Sequence, residues 1–391
     1  MGHILTLNAG SSSLKFALLA LGNEPEELLS GQLEGLGTKP RLVAKTKTGE
    51  TPVDRRWSEG EGPKDHATAL AALWELLERE FPAVDIVAVG HRVVHGGPRF
   101  SEPLIVEAAE IDALREYVPL APLHQPHNLA GIDAARAALP RARQVACFDT
   151  AFHRSHPWIN DVYALPRRYY EAGVRRYGFH GLSYEYVVST LASTRPALLQ
   201  GRLVVAHLGN GASMCAIHGG KPVASTLGFS ALDGLPMGTR CGQLDPGIIL
   251  YMLQAEGLDA KAIQDVLYKE SGLKGLSGLS NDMRTLEESD TPEALGAIAY
   301  FCARIRRELG GLAAAMGGID GVVFTGGIGE NSRRVRALAC ADLDFLGIRL
   351  DPDANAANAA EIGAADACCP VLVVNTNEEA MIARHTARLI G

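Results

Sequence analysis

The 391-residue chain is longer than a single hydrophobic core usually supports, so its length predicts two domains. Its composition, 47% hydrophobic and 21% charged, is typical of a globular protein. The formal net charge of −8 argues against a nucleic-acid or membrane partner, because the chain has no overall basic field. Its seven cysteines lack a CxxC spacing and no apolar run reaches the ~18 residues that span a bilayer, so we expect a reduced cytoplasmic protein.

Two segments, one in each half of the chain, share a pattern of apolar strand, polar loop and apolar strand. They are residues 4–17, with their loop at 8–13, and residues 203–217, with their loop at 207–213. Glycine, serine and asparagine can bring N–H groups and neutral donors close to a phosphate. The pair predicts a duplicated domain with one phosphate loop, between antiparallel strands, in each half. Either loop alone also fits an ordinary Gly/Ser hairpin.

Further along the first half, Asp65 predicts the start of a helix with a regular apolar stripe. The stripe consists of Leu70, Leu73, Trp74 and Leu77. Buried strands are predicted at 86–89 and 144–148, and the second of these delivers Asp149 at its carboxyl end. Ligands of open α/β sheets bind beyond such strand ends, so Asp149 is placed for chemistry.

In the second half, the pairs 245–246 and 291–292 each combine an N-cap residue with a following proline, which predicts two helix starts. A strand at 322–324 leads into the glycine-rich segment 325–332. Thr376 and Glu379 have the spacing of a capping box at the start of the last helix. Strands and helices alternate, which indicates an α/β protein, and we place the hinge near residue 150.

Three cations lie beside glycines or at strand ends: Lys15, Arg92 and Arg240. Arginine binds carboxylate and phosphate oxygens bidentately, so two such arginines suit an anionic acceptor, although each could also be an ordinary ion-paired residue. His180 could donate a hydrogen bond to an oxyanion or act structurally. For Asp149 a base, a metal ligand and a helix cap all remain open.

Asn8 and Glu378 carry the oxygen ligands that Mg²⁺ prefers, although Glu378 could equally stabilise a helix N-terminus. Three histidine groups also have spacings found in zinc sites. They are His91 with His95, His124 with His127, and Asp149 with His153 and His156. No cysteine pair and no HExxH pattern supports them, which argues against zinc.

Eight segments, in order from the first strand to the last helix, resemble the acetate kinase family of the acetate and sugar kinase, Hsp70 and actin superfamily. They are residues 7–16, 90–97, 148–153, 177–181, 207–213, 237–240, 324–332 and 375–379. The resemblance implies an α/β fold of two duplicated ribonuclease H-like domains around a central nucleotide cleft. It places an N-terminal domain at 1–149, with the C-terminal helix 380–391 packing back on it, and a nucleotide-binding domain at 150–379.

The resemblance further implies a Mg²⁺-dependent transfer, with Mn²⁺ as a possible substitute, between ATP and acetate to give ADP and acetyl phosphate in a homodimer. Arg92, Asp149, His180 and Arg240 resemble the catalytic residues, and Asn8 and Glu378 the metal ligands. Ser11, Ser13 and Lys15 match the first phosphate loop. The nucleotide residues implied are Lys15, His207, Leu208, Gly209, Asn210, Gly211, Asp282, Met283, Arg284, Gly327, Ile328, Gly329, Glu330 and Asn331. Arg92, Val94, Leu123, Phe179 and Ala231 match positions that contact the acceptor.

Ala231 departs from the family pattern, in which a proline commonly stands at this position. The smaller side chain removes apolar volume from the acyl pocket, so we expect somewhat better use of propionate, although Val94 should still favour acetate. Rival interpretations are a propionate or butyrate kinase, a sugar kinase, and a non-enzymatic actin-like or Hsp70-like nucleotide switch.

Overall fold

The computed structural model describes residues 2–10 and 12–391, and these form two compact units. The first unit comprises the chain up to Phe152 together with Asn377–Gly391, and the second is His153–Thr376. The strands of the first unit are β1 His3–Ala9, β2 Ser13–Ala20, β3 Glu26–Glu34, β4 Arg41–Thr46, β5 Val53–Arg56, β6 Ile86–Val93, β7 Leu104–Ile105 and β8 Arg143–Phe148. The strands of the second are β9 Arg202–Leu208, β10 Ala212–His218, β11 Lys221–Ser225, β12 Gly321–Thr325 and β13 Val371–Val373.

The sheets of the two units repeat one five-strand topology. In the first, the order β3-β2-β1-β6-β8 combines an antiparallel β1–β2 hairpin with parallel β1–β6 and β6–β8 pairs. In the second, β11-β10-β9-β12-β13 combines an antiparallel β9–β10 hairpin with parallel β9–β12 and β12–β13 pairs. The expected duplicated α/β fold and the two antiparallel loop hairpins are therefore confirmed.

Helices cover both faces of the first sheet. Leu5 and Leu7 of β1 share a core with Leu70 and Leu73 of the helix His66–Glu80, whereas Ile4 packs with Ala383 of the C-terminal helix. This division follows from the alternation of side chains along a strand. The helices of this unit are α1 His66–Glu80, α2 Ala108–Arg115, α3 Gln125–Ala138 and α16 Glu378–Ile390, with a 3-10 turn at Val118–Leu120.

Gly90 allows α16 to lie directly on β6. A Cβ atom at Gly90 would come within 2.4 Å of Thr386 Oγ1 and 2.6 Å of Ile382 Cγ2, both on α16. Real Cβ atoms do not approach other atoms so closely, so a side chain here would force the helix away from the strand. The close approach matters because α16 begins with Glu378 and therefore positions that carboxylate.

The second unit holds α12 Pro292–Ala315, the longest helix of the described residues, which packs on strands β9, β10 and β11. Its other helices are α4 Trp158–Asp161, α5 Arg167–Glu171, α6 Gly181–Thr194, α7 Pro196–Leu199, α8 Pro246–Gln254, α9 Ala260–Asp265, α10 Gly272–Ser277, α11 Met283–Glu287, α13 Gly326–Asn331, α14 Arg333–Cys340 and α15 Pro352–Ala356. Short 3-10 turns lie at Ala151–Ser155 and Asp344–Leu346, and a π turn at Val266–Glu270.

The helix starts test the capping predictions. Asp65, Asp245 and Thr291 are N-cap residues as predicted, and each accepts a hydrogen bond from a backbone N–H of the first turn. The capping box predicted between Thr376 and Glu379 is wrong, because Asn377 caps α16 by accepting from the Ala380 N–H. Asparagine is at least as favourable as threonine at an N-cap, and Asn377 directly follows Thr376 in the sequence. Among the described residues, none of the helices is both long and apolar enough to cross a membrane.

Candidate functional site

Strand register brings three of the predicted site residues together in the first unit. The parallel β1–β6 pair places Leu7 beside His91, so the next residues of the two strands are Asn8 and Arg92. The parallel β6–β8 pair places Arg92 beside Cys147, and Asp149 lies just beyond the end of β8. The Asp149 N–H donates to the Val93 carbonyl at 3.0 Å. All three side chains therefore lie at the carboxyl ends of adjacent parallel strands, where open α/β sheets bind ligands.

Arg92 and Asp149 form a bidentate pair. Arg92 Nε lies 2.9 Å from Asp149 Oδ1, and Nη2 lies 2.5 Å from Oδ2. The Asp149 side chain is 1% exposed and that of Arg92 19% exposed, so the arginine alone of the two reaches toward solvent. Burial opposes the charge of Arg92, but the carboxylates of Asp149 and Glu378 outweigh it and raise the pKa of Arg92. The guanidinium is therefore a fixed positive charge.

Glu378 and Lys15 complete this cluster in the first unit. Glu378 Oε2 lies 3.7 Å from Arg92 Nε, and Lys15 is the cross-strand partner of Asn8 in the β1–β2 hairpin. The neighbouring Glu379 was not predicted as a site residue. Burial, together with the adjacent Glu378, raises the pKa of Glu379, while Lys15 and Arg92 act in the opposite direction. Glu379 directly follows Glu378 at the start of α16, and this adjacency is the sequence signal that could have identified it.

The oxygen atoms around Arg92 fit a magnesium ion. Arg92 Nη1 donates to Asn8 Oδ1 at 3.3 Å, so Asn8 and Glu378 both place a hard oxygen ligand beside one guanidinium. Mg²⁺ is usually held by one or two carboxylates, with water and substrate phosphates filling the other positions. Asn8 supplies a neutral oxygen and Glu378 a charged one, which matches this donor set.

Two buried amide side chains that no sequence motif indicated hold the strand ends in place. Asn128 accepts from the Val94 N–H at 2.9 Å and donates to the Ala9 carbonyl at 2.8 Å, which ties the first loop to the end of β6. Gln125 accepts from the His95 N–H at 3.3 Å and donates to its carbonyl at 3.0 Å. Both lie on α3, and their amides satisfy backbone groups that helix and sheet leave unpaired. Val94 is buried, and Leu123 lies just before α3 and is partly exposed.

The first loop is a tight hairpin turn. Gly10 N–H donates to the Ser13 carbonyl at 2.8 Å, and the Gly10 carbonyl lies 2.9 Å from His66 Nε2. Ser13 begins β2. Ser11, a residue predicted for this loop, lies outside the described residues.

In the second unit, two stacked histidines face the second loop. The His180 and His207 rings lie 4.2 Å apart between centroids with an interplanar angle of 22°. His180 Nδ1 lies 2.8 Å from Ser213 Oγ, and His207 Nδ1 lies 2.8 Å from Ser183 Oγ. Tyr184 also hydrogen-bonds Ser213, at 2.5 Å. The hydroxyl groups of Ser213 and Ser183 orient the two rings. Of these two serines, only Ser213 lies in a predicted phosphate loop.

His180 adopts a backbone conformation that non-glycine residues rarely use. Its φ is 56°, in the left-handed region, directly before α6. Such a conformation costs about 1–3 kcal/mol and persists where the surrounding structure enforces it. The buried Phe179 before it accepts a hydrogen bond from His153 Nε2 at 2.8 Å, which anchors this turn.

Gly211 leaves open space in front of His180 and Arg240. A Cβ atom at Gly211 would lie 3.1 Å from His180 Nε2 and 3.7 Å from Arg240 Nη2. The backbone of the second loop at Gly211 therefore faces His180 and Arg240, two side chains that can donate hydrogen bonds to an anion. Arg240 Nη1 also donates to the Ala231 carbonyl at 3.1 Å, which links this arginine to the segment expected to line the acyl pocket.

A pocket of about 740 Å³ in the second unit is large enough for a nucleoside. Eight of the predicted nucleotide residues line it, and the structure adds Asn281, Glu287 and Ser332. The eight are Gly209, Asn210, Asp282, Met283, Arg284, Gly327, Ile328 and Asn331. Asp282 caps α11 and pairs with Arg284 at 2.6 Å, so these two rim residues fix each other.

Glu330 and Gly329, expected in the nucleotide site, have structural contacts. Glu330 Oε1 accepts from the N–H groups of Gly326 at 2.9 Å and Thr376 at 3.0 Å. The carbonyls of Gly329 and Glu330 both accept from Arg336 Nη1 at 2.9 Å. Arg336 is fully buried, and it donates further hydrogen bonds to Asn355 and Asn358. It therefore supports the glycine-rich turn from behind, a role that no sequence pattern had indicated.

Comparison with known proteins places these features in a family. Residues 3–384 match the model of the acetokinase family. The chain is 54% identical over 394 residues to the acetate kinase of Methylocella silvestris, covering 99% of this chain and 98% of that protein. The crystal structure of acetate kinase from Porphyromonas gingivalis superposes with a TM-score of 0.88 at 38% identity, and that of a propionate kinase from Francisella tularensis with 0.92 at 35%. Both cover 100% of this chain and of their own. The chain therefore belongs to the acetokinase family.

Proposed function

We propose that the protein transfers the γ-phosphoryl group of ATP reversibly to acetate, forming acetyl phosphate and ADP. The observation that carries the proposal is the Arg92–Asp149 pair at the carboxyl ends of β6 and β8, beside Asn8 and Glu378. It presents a fixed cation and a set of oxygen ligands at one strand edge, as an anionic acceptor and a nucleotide–metal complex require. Family membership over residues 3–384 supports the same activity.

The mechanism is direct in-line transfer. Acetate is ionised near neutral pH, like a Glu side chain of pKa about 4.3, so its oxygen is a nucleophile without a base. Arg92 binds and orients the acceptor carboxylate. His180 and Arg240 donate to the oxygens of the phosphoryl group as it moves, and removing one such donor typically costs about 100-fold or more in rate.

Asp149 is a positioning residue in this proposal. Both of its oxygens are engaged by Arg92, at 2.9 and 2.5 Å. A carboxylate committed to two charge-assisted hydrogen bonds is better suited to holding the guanidinium plane than to exchanging protons during turnover. Its effect on the reaction therefore passes through Arg92.

Asn8 and Glu378 would hold Mg²⁺, for which Mn²⁺ can substitute as a hard oxygen-preferring ion. The ion, when bound, neutralises phosphate charge and so lowers the repulsion between nucleotide and acceptor. Lys15, opposite Asn8 in the hairpin, and the loop residues Ser11 and Ser13 add donors for the phosphates. On the second unit, His207, Leu208 and Gly211 belong to the phosphate-binding loop, and the pocket at Asp282–Arg284 and Gly327–Asn331 receives the nucleoside.

A coupled acceptor screen tests the activity. ATP, Mg²⁺ and one of formate, acetate, propionate or butyrate are incubated with the protein, and the acyl phosphate is trapped with hydroxylamine while ADP is measured separately. We expect acyl hydroxamate and ADP in equal amounts, with acetate giving the highest kcat/KM. Slow ADP formation that no carboxylate stimulates would instead indicate a nucleotide switch, and stimulation by sugars alone a sugar kinase.

Propionate kinase is the second candidate. One observation is compatible with it: the Ala231 carbonyl accepts from Arg240, so this small side chain lies beside a proposed catalytic arginine. The resemblance leads us to expect a bulkier proline at this position in acetate kinases. The solved structure from Francisella tularensis, a propionate kinase, is also similar to this chain over its whole length. The same acceptor screen decides between the two by the ratio of kcat/KM values.

The proposal includes a homodimer in a reducing, cytoplasmic compartment. Helix α8 exposes Ile248, Leu250, Tyr251 and Leu253 between 40% and 57%, and a helix so apolar is normally covered. A second copy of the chain is the proposed cover. None of the seven cysteines, all of which the structure describes, forms a disulfide, and five are buried, which fits a reducing compartment. Light scattering of wild type and of Leu250→Glu tests the dimer, since a charge on this face should yield monomers.

A further inference from the structure

A second group of metal-ligand side chains lies inside the second unit, apart from the residues assigned to the reaction. His153, His156 and Cys215 offer ligand atoms that all lie within 4.8 Å of one another. Cys215 comes from the middle of β10, whereas His153 lies in the turn Ala151–Ser155 after β8 and His156 directly follows that turn. The sequence separates the cysteine from the histidines by about 60 residues, which is why a spacing search for zinc sites does not detect the group.

Among the described residues, no hydrogen-bond partner reaches either ring nitrogen of His156. Both Nδ1 and Nε2 are buried, and the residue is only 9% exposed. A buried imidazole without partners is costly, because it has lost its water hydrogen bonds and gained none in return. Burial, together with the nearby His153, Arg154 and Arg176, lowers the pKa of His156 to about 2, so the ring is neutral. A neutral imidazole with a free lone pair is the form that binds metal.

His153 has the tautomer and the support of a metal ligand. Its Nε2 lies 2.8 Å from the Phe179 carbonyl, an acceptor only, so Nε2 carries the proton and Nδ1 carries the lone pair. Metal-binding histidines usually hold their second nitrogen in this way. The Nδ1 atom lies 3.9 Å from Cys215 Sγ, which also lies 3.6 Å from the Ala216 carbonyl.

We propose that His153, His156 and Cys215 form a binding site for Zn²⁺ or a similar thiolate-preferring divalent ion. Zinc accepts imidazole nitrogen and thiolate sulfur at about 2.0–2.3 Å, which places tetrahedral ligand atoms about 3.5 Å apart. The three side chains must therefore approach one another by roughly an ångström. Three protein ligands leave one position for water. Magnesium, the ion of the proposed reaction, does not favour sulfur and nitrogen ligands, so the two sites select different metals.

Charge and protonation at the site are compatible with a cation. Burial raises the pKa of the Cys215 thiol, so the empty site holds S–H, and binding converts it to thiolate with release of one proton to solvent. The nearest cation in sequence, Arg154, pairs with the buried Asp161 at 3.2 Å, and Arg176 pairs with Asp233 at 2.9 Å. These pairs offset much of the positive charge that would oppose the ion.

Cobalt titration of the metal-stripped full-length protein tests the proposal, with excess Mg²⁺ present to fill the oxygen site and a phosphine reductant to keep thiols reduced. We expect one equivalent of Co²⁺ to bind with the intense absorption of thiolate-to-cobalt charge transfer, and Zn²⁺ to displace it. Cys215→Ala should abolish that absorption, and His156→Leu should weaken binding by about 10-fold or more. The matched controls are Cys368→Ala, an exposed thiol, and His218→Leu, an exposed imidazole, and both should bind as wild type does.

Absorption that survives Cys215→Ala, or disappears in Cys368→Ala, would overturn the proposal, as would no charge-transfer absorption in the wild type. X-ray absorption spectroscopy of the zinc-loaded wild type gives a test that needs no variant to fold. We expect a zinc shell with one sulfur and two imidazole nitrogens. A shell of oxygen and nitrogen alone would refute the site.

Discussion

Arg92 binds both oxygens of Asp149, with Nε 2.9 Å from Oδ1 and Nη2 2.5 Å from Oδ2. The pair joins the ends of two parallel strands and leaves Nη1 directed at Asn8, 3.3 Å away. Because a bidentate contact fixes the guanidinium plane as well as its position, Asp149 determines how Arg92 meets an incoming anion.

Asp149→Asn should lower kcat by about 100-fold without introducing a new pH dependence. The amide keeps one acceptor oxygen but replaces the other with a donor that repels Arg92. Measuring kcat for acetate from pH 6 to 9 checks this outcome. Asp133→Asn, which removes an exposed acid of the same unit, should behave as wild type. A rate that recovers as the pH rises would mean that Asp149 exchanges protons during turnover.

Arg92→Lys should lose about 100-fold or more in kcat/KM for acetate. Lysine keeps the charge, but it cannot form the two parallel hydrogen bonds to Asp149 and at the same time face the acceptor. Initial rates over a range of acetate concentrations provide the measurement. Arg99→Lys, at an exposed position of the same unit, is the control. Near-normal activity in Arg92→Lys would show that charge alone suffices.

Gly211→Ala should reduce kcat by about 10-fold or more while the protein remains folded. The added methyl would lie 3.1 Å from His180 Nε2 and so displace the ring or the loop. Gly311→Ala is the matched change in α12, where an added Cβ would meet no atom of the described residues within 4 Å apart from the helix's own backbone. It should leave activity intact and stabilise the helix by about 0.5–1 kcal/mol. The kcat values and thermal melts of the two variants are compared. Equal kcat values for Gly211→Ala and Gly311→Ala would show that the space between Gly211 and His180 is not needed for the reaction.

Ala231→Pro should shift the propionate-to-acetate ratio of kcat/KM toward acetate. One methylene in an apolar pocket is worth about 1–3 kcal/mol, so a shift of roughly 5- to 150-fold is expected. Proline also changes the backbone, and the Ala231 carbonyl accepts from Arg240. Ala231→Val therefore serves as a second variant that adds volume alone and should shift the ratio in the same direction. An unchanged ratio in both would refute the proposed role of Ala231.

His91 should make the first unit less stable as the pH falls from about 6.5 to 4. Burial lowers the pKa of His91 to about 4, although the hydrogen bond with Gln144 opposes the shift. Between these pH values the unfolded chain binds a proton that the folded chain does not, so stability is full above 6.5 and declines toward 4. The shift corresponds to about 3 kcal/mol.

Thermal melts at several pH values test this expectation with the variant His91→Gln, which keeps a hydrogen-bonding side chain opposite Gln144 but cannot titrate. The variant should lose stability less steeply than wild type between pH 6.5 and 4. His218→Gln, at an exposed position, should follow the wild-type curve. Parallel curves for wild type and His91→Gln would exclude His91 as a source of acid sensitivity.

The sequence by itself determined the local features of this protein. The two loop hairpins, the helix starts at Asp65, Asp245 and Thr291, and Asp149 at a strand end all follow from residue periodicity and caps within a few positions. Ordered motifs spread along the chain then identified the family.

Only the tertiary structure decided which distant residues meet. The contacts of Arg92 with Asn8 and Asp149 depend on the register of parallel strands that are 57 to 84 residues apart in sequence. The same holds for Cys215 beside His153, for Asn128 between Ala9 and Val94, and for Glu330 turned toward Gly326 and Thr376. Short-range patterns carry no information on such pairings, because register and side-chain direction are settled by packing over the whole unit.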